Sequence, residues 1–273
     1  MAETISISSL LKDSIARTRR LIVPSLPFAL LFAAMMGLLV WGAGALPDGG
    51  AGFFGFVVLT FAALLAHSLF SVSMYQAALP IGAGKLNRAI KLSMSWLLMI
   101  VVASIGAAII VLFFALIGAS LGVASGETGQ EITDMTAQMR EAGTFWPLFA
   151  VFLLTLFGVF WFAVRMVLFA AATSARNQVH VFRTWYWTKG HFKTLGPLMV
   201  LFVILPLLIC GFVASALVPL SAGGAVTPLT MGASTTLFTV MLTPSAWLGH
   251  GYAAAAYTAL APEDGEGQPS TPA

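Results

Sequence analysis

Six stretches of this chain, roughly 21–46, 51–79, 93–124, 146–172, 195–219 and 229–260, are each apolar over the ~20 residues that a helix needs to cross a bilayer. The expectation is therefore an all-α polytopic membrane protein with six spans. Composition removes the soluble alternative. Of 273 residues 59% are hydrophobic and 8% are charged, against about 25% charged in a soluble globular domain. Several runs exceed the hydrocarbon thickness, so they tilt or project into the headgroup layer.

The basic residues sit between the runs, and their placement orients the chain. Lys12, Arg17, Arg19 and Arg20 precede the first run. Lys85, Arg88 and Lys91 follow the second, and Arg176, Arg183, Lys189 and Lys193 follow the fourth. Arg140 alone lies in an oppositely placed loop, 125–145, together with Glu127, Glu131, Asp134 and Glu141. Basic loops stay in the cytoplasm, which puts both termini there. A competing pattern is Ala43-Gly44-Ala45, whose small residues fit a signal-peptidase site. The run before it exceeds the usual ~7–15 residue signal core. Cleavage there would leave five spans and an external N-terminus. The net charge of +3 is scattered, without the basic-aromatic platform of a nucleic-acid binder, so nucleic acid is not an expected partner.

Residues 1–260 read as one helical membrane domain. The tail 261–273, ending in PEDGEGQPSTPA, is acidic, rich in Gly and Pro, and expected to be disordered. Ahead of the first run, Ile7, Leu10, Leu11, Ile15, Thr18 and Ile22 share one helical face, the pattern of a helix lying in the headgroup layer. Lys85–Lys91 repeats this briefly. So does Val179–Lys189, where Val179, Phe182 and Tyr186 recur at helical spacing and Gly190 can end the helix. Three modules, each a basic interfacial element followed by a helical hairpin, would result.

The densest chemistry lies in FRTWYWTKGHFK, Phe182–Lys193. Trp185, Tyr186 and Trp187 carry apolar bodies with polar edges, and Arg183, Lys189, His191 and Lys193 can meet anionic lipid, each cation contributing about 1 kcal/mol near the surface. The residue types suit an interfacial anchor or a phosphate-recognising lipid site. The segment TWYWTKGHFKTLGPLMVLF, following VRMVLFAAATSA with its Arg165, resembles the second half of the multi-pass membrane domain attached to some bacterial glycerophosphodiester phosphodiesterases and found alone in inner-membrane proteins. ISISSLLKDSIARTRR is similar to that family's leading amphipathic segment. The likeness is strongest over about 160–205. It implies a six-helix domain of the bacterial inner membrane. The enzymatic part of such proteins is a soluble α/β barrel, and no polar segment here is long enough for one, so no activity is carried over.

Ionisable residues within spans are costly and each invites a reason. Arg165 lies late in the fourth run and is expected to snorkel towards the headgroups. His67, with Ser71 and Tyr75 at four-residue steps, and His250, between Gly249 and Gly251, suit hydrogen bonds across helices. Two histidines without carboxylate or thiol companions make a poor metal site, and no cofactor is expected. Cys210 has no intrachain partner. Pro206 and Pro244 interrupt the last two runs, as in the broken helices of transporters. Ser245, Gly249 and Ala253, and Ala115, Gly118, Ala119 and Gly122, are small-residue faces for close helix contact. Two functions follow: a lipid-associated scaffold without catalysis, partnered by phospholipids and by another membrane protein or a second copy, or a small-solute transporter. Transport requires Pro206, Pro244, His67 and His250 to meet in one hydrated cavity.

Overall fold

The structure is a computed structural model, which describes residues 6–120, 140–141, 143, 145–221 and 226–261. It is helical throughout, with no strand among the described residues. The long elements are α1 (Ile7–Ala45), α2 (Gly50–Ala78), α3 (Lys85–Ser120) and α4 (Phe145–Met166). After them come the short α5 (Phe169–Arg176), the single turn α6 (Thr184–Trp187) and α7 (Phe192–Met199). A π-helical turn at Val200–Ile204 joins α7 to α8 (Leu205–Ser221), and α9 (Pro228–Leu260) closes the chain. Glu127, Glu131 and Asp134 of the acidic loop and residues 262–273 of the tail lie outside the described residues.

Five segments are long and apolar enough to cross a membrane: Ile7–Ala45, Gly50–Ala78, Lys85–Phe113, Phe145–Arg176 and Phe192–Val218. The segment expected as a sixth span forms the 33-residue α9. Thr, Ser and Gly dilute its hydropathy, and it is not among the five. Its hydroxyls are satisfied within the helix, as in Thr235 to the Met231 carbonyl (2.9 Å) and Thr239 to that of Thr235 (2.8 Å). Such back-bonding lowers the cost of placing a hydroxyl in an apolar setting.

Two compact units are distinguishable, one comprising the residues up to Trp96 and from Val164 onward, the other Leu97–Ala163. The second unit holds the later turns of α3 and most of α4, rich in exposed Ile, Leu and Phe. In the first, α1 pairs with α9 along most of its length. The α1 stripe that makes this possible is Leu10, Ser14, Thr18, Leu21, Ser25, Ala29, Ala33 and Gly37, all buried and stepping by three or four. Its hydroxyls bond back to their own helix, Ser14 to Leu10 (2.6 Å) and Thr18 to Ser14 (2.8 Å). Small side chains then let backbones approach. A Cβ on Gly251 would strike Thr18 Oγ1, and one on Gly232 would lie 2.7 Å from the Gly37 carbonyl. Between these levels Trp247 Nε1 donates to Ser25 Oγ at 2.9 Å.

This corrects the sequence reading of the N-terminus. Residues 7–22 form no separate surface helix but the first turns of α1, and the face grouped by its apolar residues is split. Leu10 and Thr18 are buried, while Ile7, Ile15 and Ile22 are exposed. Packing selected the small-residue stripe over the bulky one because α9 needs close approach. Of the expected small faces, Ser245 and Ala253 are buried and Gly249 meets Val203. The side chains of Ala115, Gly118, Ala119 and Gly122 lie outside the described residues.

Candidate functional site

At one end of the first unit, cations from the leading helices close the carbonyl ends of the returning ones. A helix leaves its last carbonyls without partners, and positive charge is favoured there. Arg17 of α1 donates to the Ala78 carbonyl at the end of α2 (2.7 Å) and pairs with Asp13 (2.8 Å). Arg88 of α3 donates to the carbonyls of Ser174 and Ala175 at the end of α5, the latter at 3.0 Å. Lys91 reaches the Asn177 carbonyl at 2.7 Å. The same device thus serves two of the three modules suggested by the sequence. In the third, Tyr252 of α9 donates instead to the Leu195 carbonyl of α7 at 2.8 Å.

The aromatic-basic stretch is mounted on this end. Asn177, at φ 52°, turns the chain out of α5, and Gly190, at φ 85°, ends the turn after α6. Both are left-handed conformations that Asn and Gly tolerate. Between them Thr188 is fully buried and donates to the Arg165 carbonyl at 3.0 Å. That anchor sorts the seven expected interface residues. Trp185 turns inward against Arg165, whose guanidinium lies 4.8 Å from the ring centre. Trp187 does the same with Arg176, also at 4.8 Å, and Arg176 Nε donates to Tyr257 Oη at 3.2 Å. Arg183, Tyr186, Lys189 and Lys193 are exposed together with Phe182, whereas His191 is half-buried as the N-cap of α7. Val179, Phe182 and Tyr186 do share an outward side, although only Thr184–Trp187 is helical.

Arg165 is 6% exposed, and the Trp185 ring lies over its guanidinium. The sequence reading named Arg88 only among the orienting charges and passed over His180 and Ser174. His180 is buried, its backbone N–H donates to Thr173 Oγ1 (3.2 Å), and burial with the charges of Arg176 and Arg183 holds its imidazole below the ordinary value of 6.5. The absence of any acidic residue between Glu141 and Glu263 was the available signal.

On α9, His250 Nδ1 hydrogen-bonds the Ala246 carbonyl at 2.8 Å and its Nε2 meets Ser71 Oγ of α2 at 3.1 Å. The carbonyl can only accept, so Nδ1 carries the proton and Ser71 donates to Nε2. His67 stands between Phe32 and Trp96, at 5.0 and 5.1 Å between ring centres. The two prolines do not join the histidines. Pro244 is exposed on the outside of α9, and Pro206 sits just after the π-helical turn, where Leu205 N–H reaches back to Val200. The wider turn relieves the clash that proline makes with the fourth preceding carbonyl. No group of three or more metal-binding side chains occurs among the described residues.

No protein-family model matches the chain, and neither a curated protein nor a solved structure matches it.

Proposed function

We propose that this chain is a six-span integral protein of a bacterial inner membrane, with both termini cytoplasmic, that associates with anionic phospholipid and acts as a scaffold without catalysis of its own. One observation carries the reading. Phe182, Arg183, Tyr186, Lys189 and Lys193 are all exposed while the two tryptophans of the same segment turn towards Arg165 and Arg176. An outward set of two rings and three cations is what a headgroup layer rewards. Arg17, Arg88 and Lys91 reach carbonyls at or just past the ends of α2 and α5, and cations gathered at helix ends support a basic side facing the cytoplasm. The resemblance to the phosphodiesterase-associated membrane domain is part of this proposal.

Native mass spectrometry of the protein from its own membrane, beside a Tyr186→Ala/Lys189→Ala/Lys193→Ala variant, tests it. Enrichment of acidic phospholipid on the native chain and its loss in the variant supports the reading. Equal, unselective lipid on both refutes it. Labelling of single cysteines placed at Lys12 and Asp48 from either side of sealed vesicles tests the topology.

A further inference from the structure

Where α5 ends, four buried polar atoms take no hydrogen bond from the described residues: Ser174 Oγ, Asn177 Oδ1, His180 Nδ1 and, from α3, Arg88 Nε. Their residues already adjoin. Arg88 holds the Ser174 and Ala175 carbonyls, Lys91 holds that of Asn177, and the His180 N–H returns to Thr173 beside Ser174. Ser174 and His180 are 0% and 3% exposed. Native proteins leave few such atoms without partners, so four on adjoining residues call for a partner from outside the fold, water or ion.

The chemistry of the set selects its class. Each group can donate: the guanidinium Nε–H, the hydroxyl, an imidazole with its proton on Nδ1, and the Asn amide with its oxygen and nitrogen exchanged, since the two ends have the same shape. The surrounding charge has one sign, from Arg88, Lys91, Arg176 and Arg183. No acidic residue occurs in 49–126 or in 142–262, the segments that build the site. Donors amid cations suit an oxyanion, whose oxygens only accept.

We propose that Arg88, Ser174, Asn177 and His180 bind one phosphoryl group, a phospholipid headgroup or inorganic phosphate. A headgroup as the source rests on the lipid reading above. The site itself does not, because the outward patch shares none of its four residues.

The test is an NMR titration of His180 in the full-length, histidine-labelled protein. In detergent, inorganic phosphate is compared with chloride at equal ionic strength, which separates binding from screening. In nanodiscs, phosphatidylcholine alone is compared with phosphatidylcholine containing phosphatidylglycerol. A bound anion favours the imidazolium, so the His180 pKa is expected to rise by about one unit or more. Ser174→Ala/Asn177→Ala is expected to weaken the phosphate response about tenfold, the loss of two hydrogen bonds. A response to inorganic phosphate identifies the free ion; one confined to phosphatidylglycerol identifies the headgroup. Tyr186→Ala/Lys189→Ala/Lys193→Ala leaves the titration unchanged, so failure of the outward patch and failure of this site are read separately. A His180 titration indifferent to both anions, or an equal response in the double variant, overturns the proposal and leaves these atoms to water. If the double variant does not fold, phosphate against chloride on the native chain decides alone.

Discussion

The Arg165 guanidinium lies 4.8 Å from the centre of the Trp185 ring, and Thr188, three residues on, donates to the Arg165 carbonyl at 3.0 Å. The end of α4 and the turn α6 are thereby held together by a cation over a ring and by a hydrogen bond. A buried arginine near the end of an apolar helix is tolerated because an aromatic face replaces part of its lost hydration.

Trp185→Ala removes that face. The expected loss is about 1–3 kcal/mol, combining the cation–π contact with the buried ring area, whereas Trp185→Phe retains part of it. Thermal unfolding in detergent compares the three proteins. Equal midpoints for wild type and Trp185→Ala would mean that Arg165 does not depend on the ring.

Close approach of α1 and α9 rests on Gly251 against Thr18 and on Gly232 against the Gly37 carbonyl. Gly251→Ala and Gly232→Ala are each expected to destabilise by about 1–3 kcal/mol, since a methyl must displace backbone or a β-branched side chain. Gly158→Ala is the control. Nothing lies within 4 Å of a Cβ there, and the substitution is expected to be neutral or to stabilise by up to about 1 kcal/mol through helix propensity.

Arg17 closes the last turn of α2 through the Ala78 carbonyl at 2.7 Å. Arg17→Met keeps much of the apolar stem and removes the charged donor, at an expected cost of about 1.5–3 kcal/mol. Hydrogen exchange should accelerate first at the end of α2. Uniform acceleration along the chain would contradict a local capping role.

His180 supplies a pH dependence of defined sign. Its imidazole sits below the ordinary value of 6.5, through burial and then Arg176 and Arg183, so on acidification the unfolded chain takes up its proton first. Stability therefore falls as pH drops through about 6.5 towards the lower folded value, and is unaffected by this group at higher pH. His180→Gln removes that component. Unfolding midpoints measured from pH 8 to pH 5 in phosphate-free buffer, with the same slope in both proteins, would exclude His180 as its source.

The apolar runs announced helices, and the basic residues between them announced a common end, because hydropathy and charge are sums along the chain that a bilayer reads without regard to partners. The concentration of rings and cations in Phe182–Lys193 was legible for the same reason. Which of its residues face outward was not. The inward turn of Trp185 and Trp187 depends on Arg165 and Arg176, about 20 and 11 residues upstream, and on the αL turn at Asn177 that folds them over. The N-terminal segment shows the limit most clearly. Its bulky apolar face, Ile7, Ile15 and Ile22, dominates any count of hydrophobicity, yet the face that packs is Ser14, Thr18 and Ser25. Lipid solvates isoleucine as well as a neighbouring helix does, so inside a membrane apolarity no longer selects the contact. Steric fit does, and fit between α1 and α9 arises only when segments more than 200 residues apart are brought side by side. The donor set at Arg88, Ser174, Asn177 and His180 is of the same kind: ordinary residues one by one, joined only where α3 meets the end of α5.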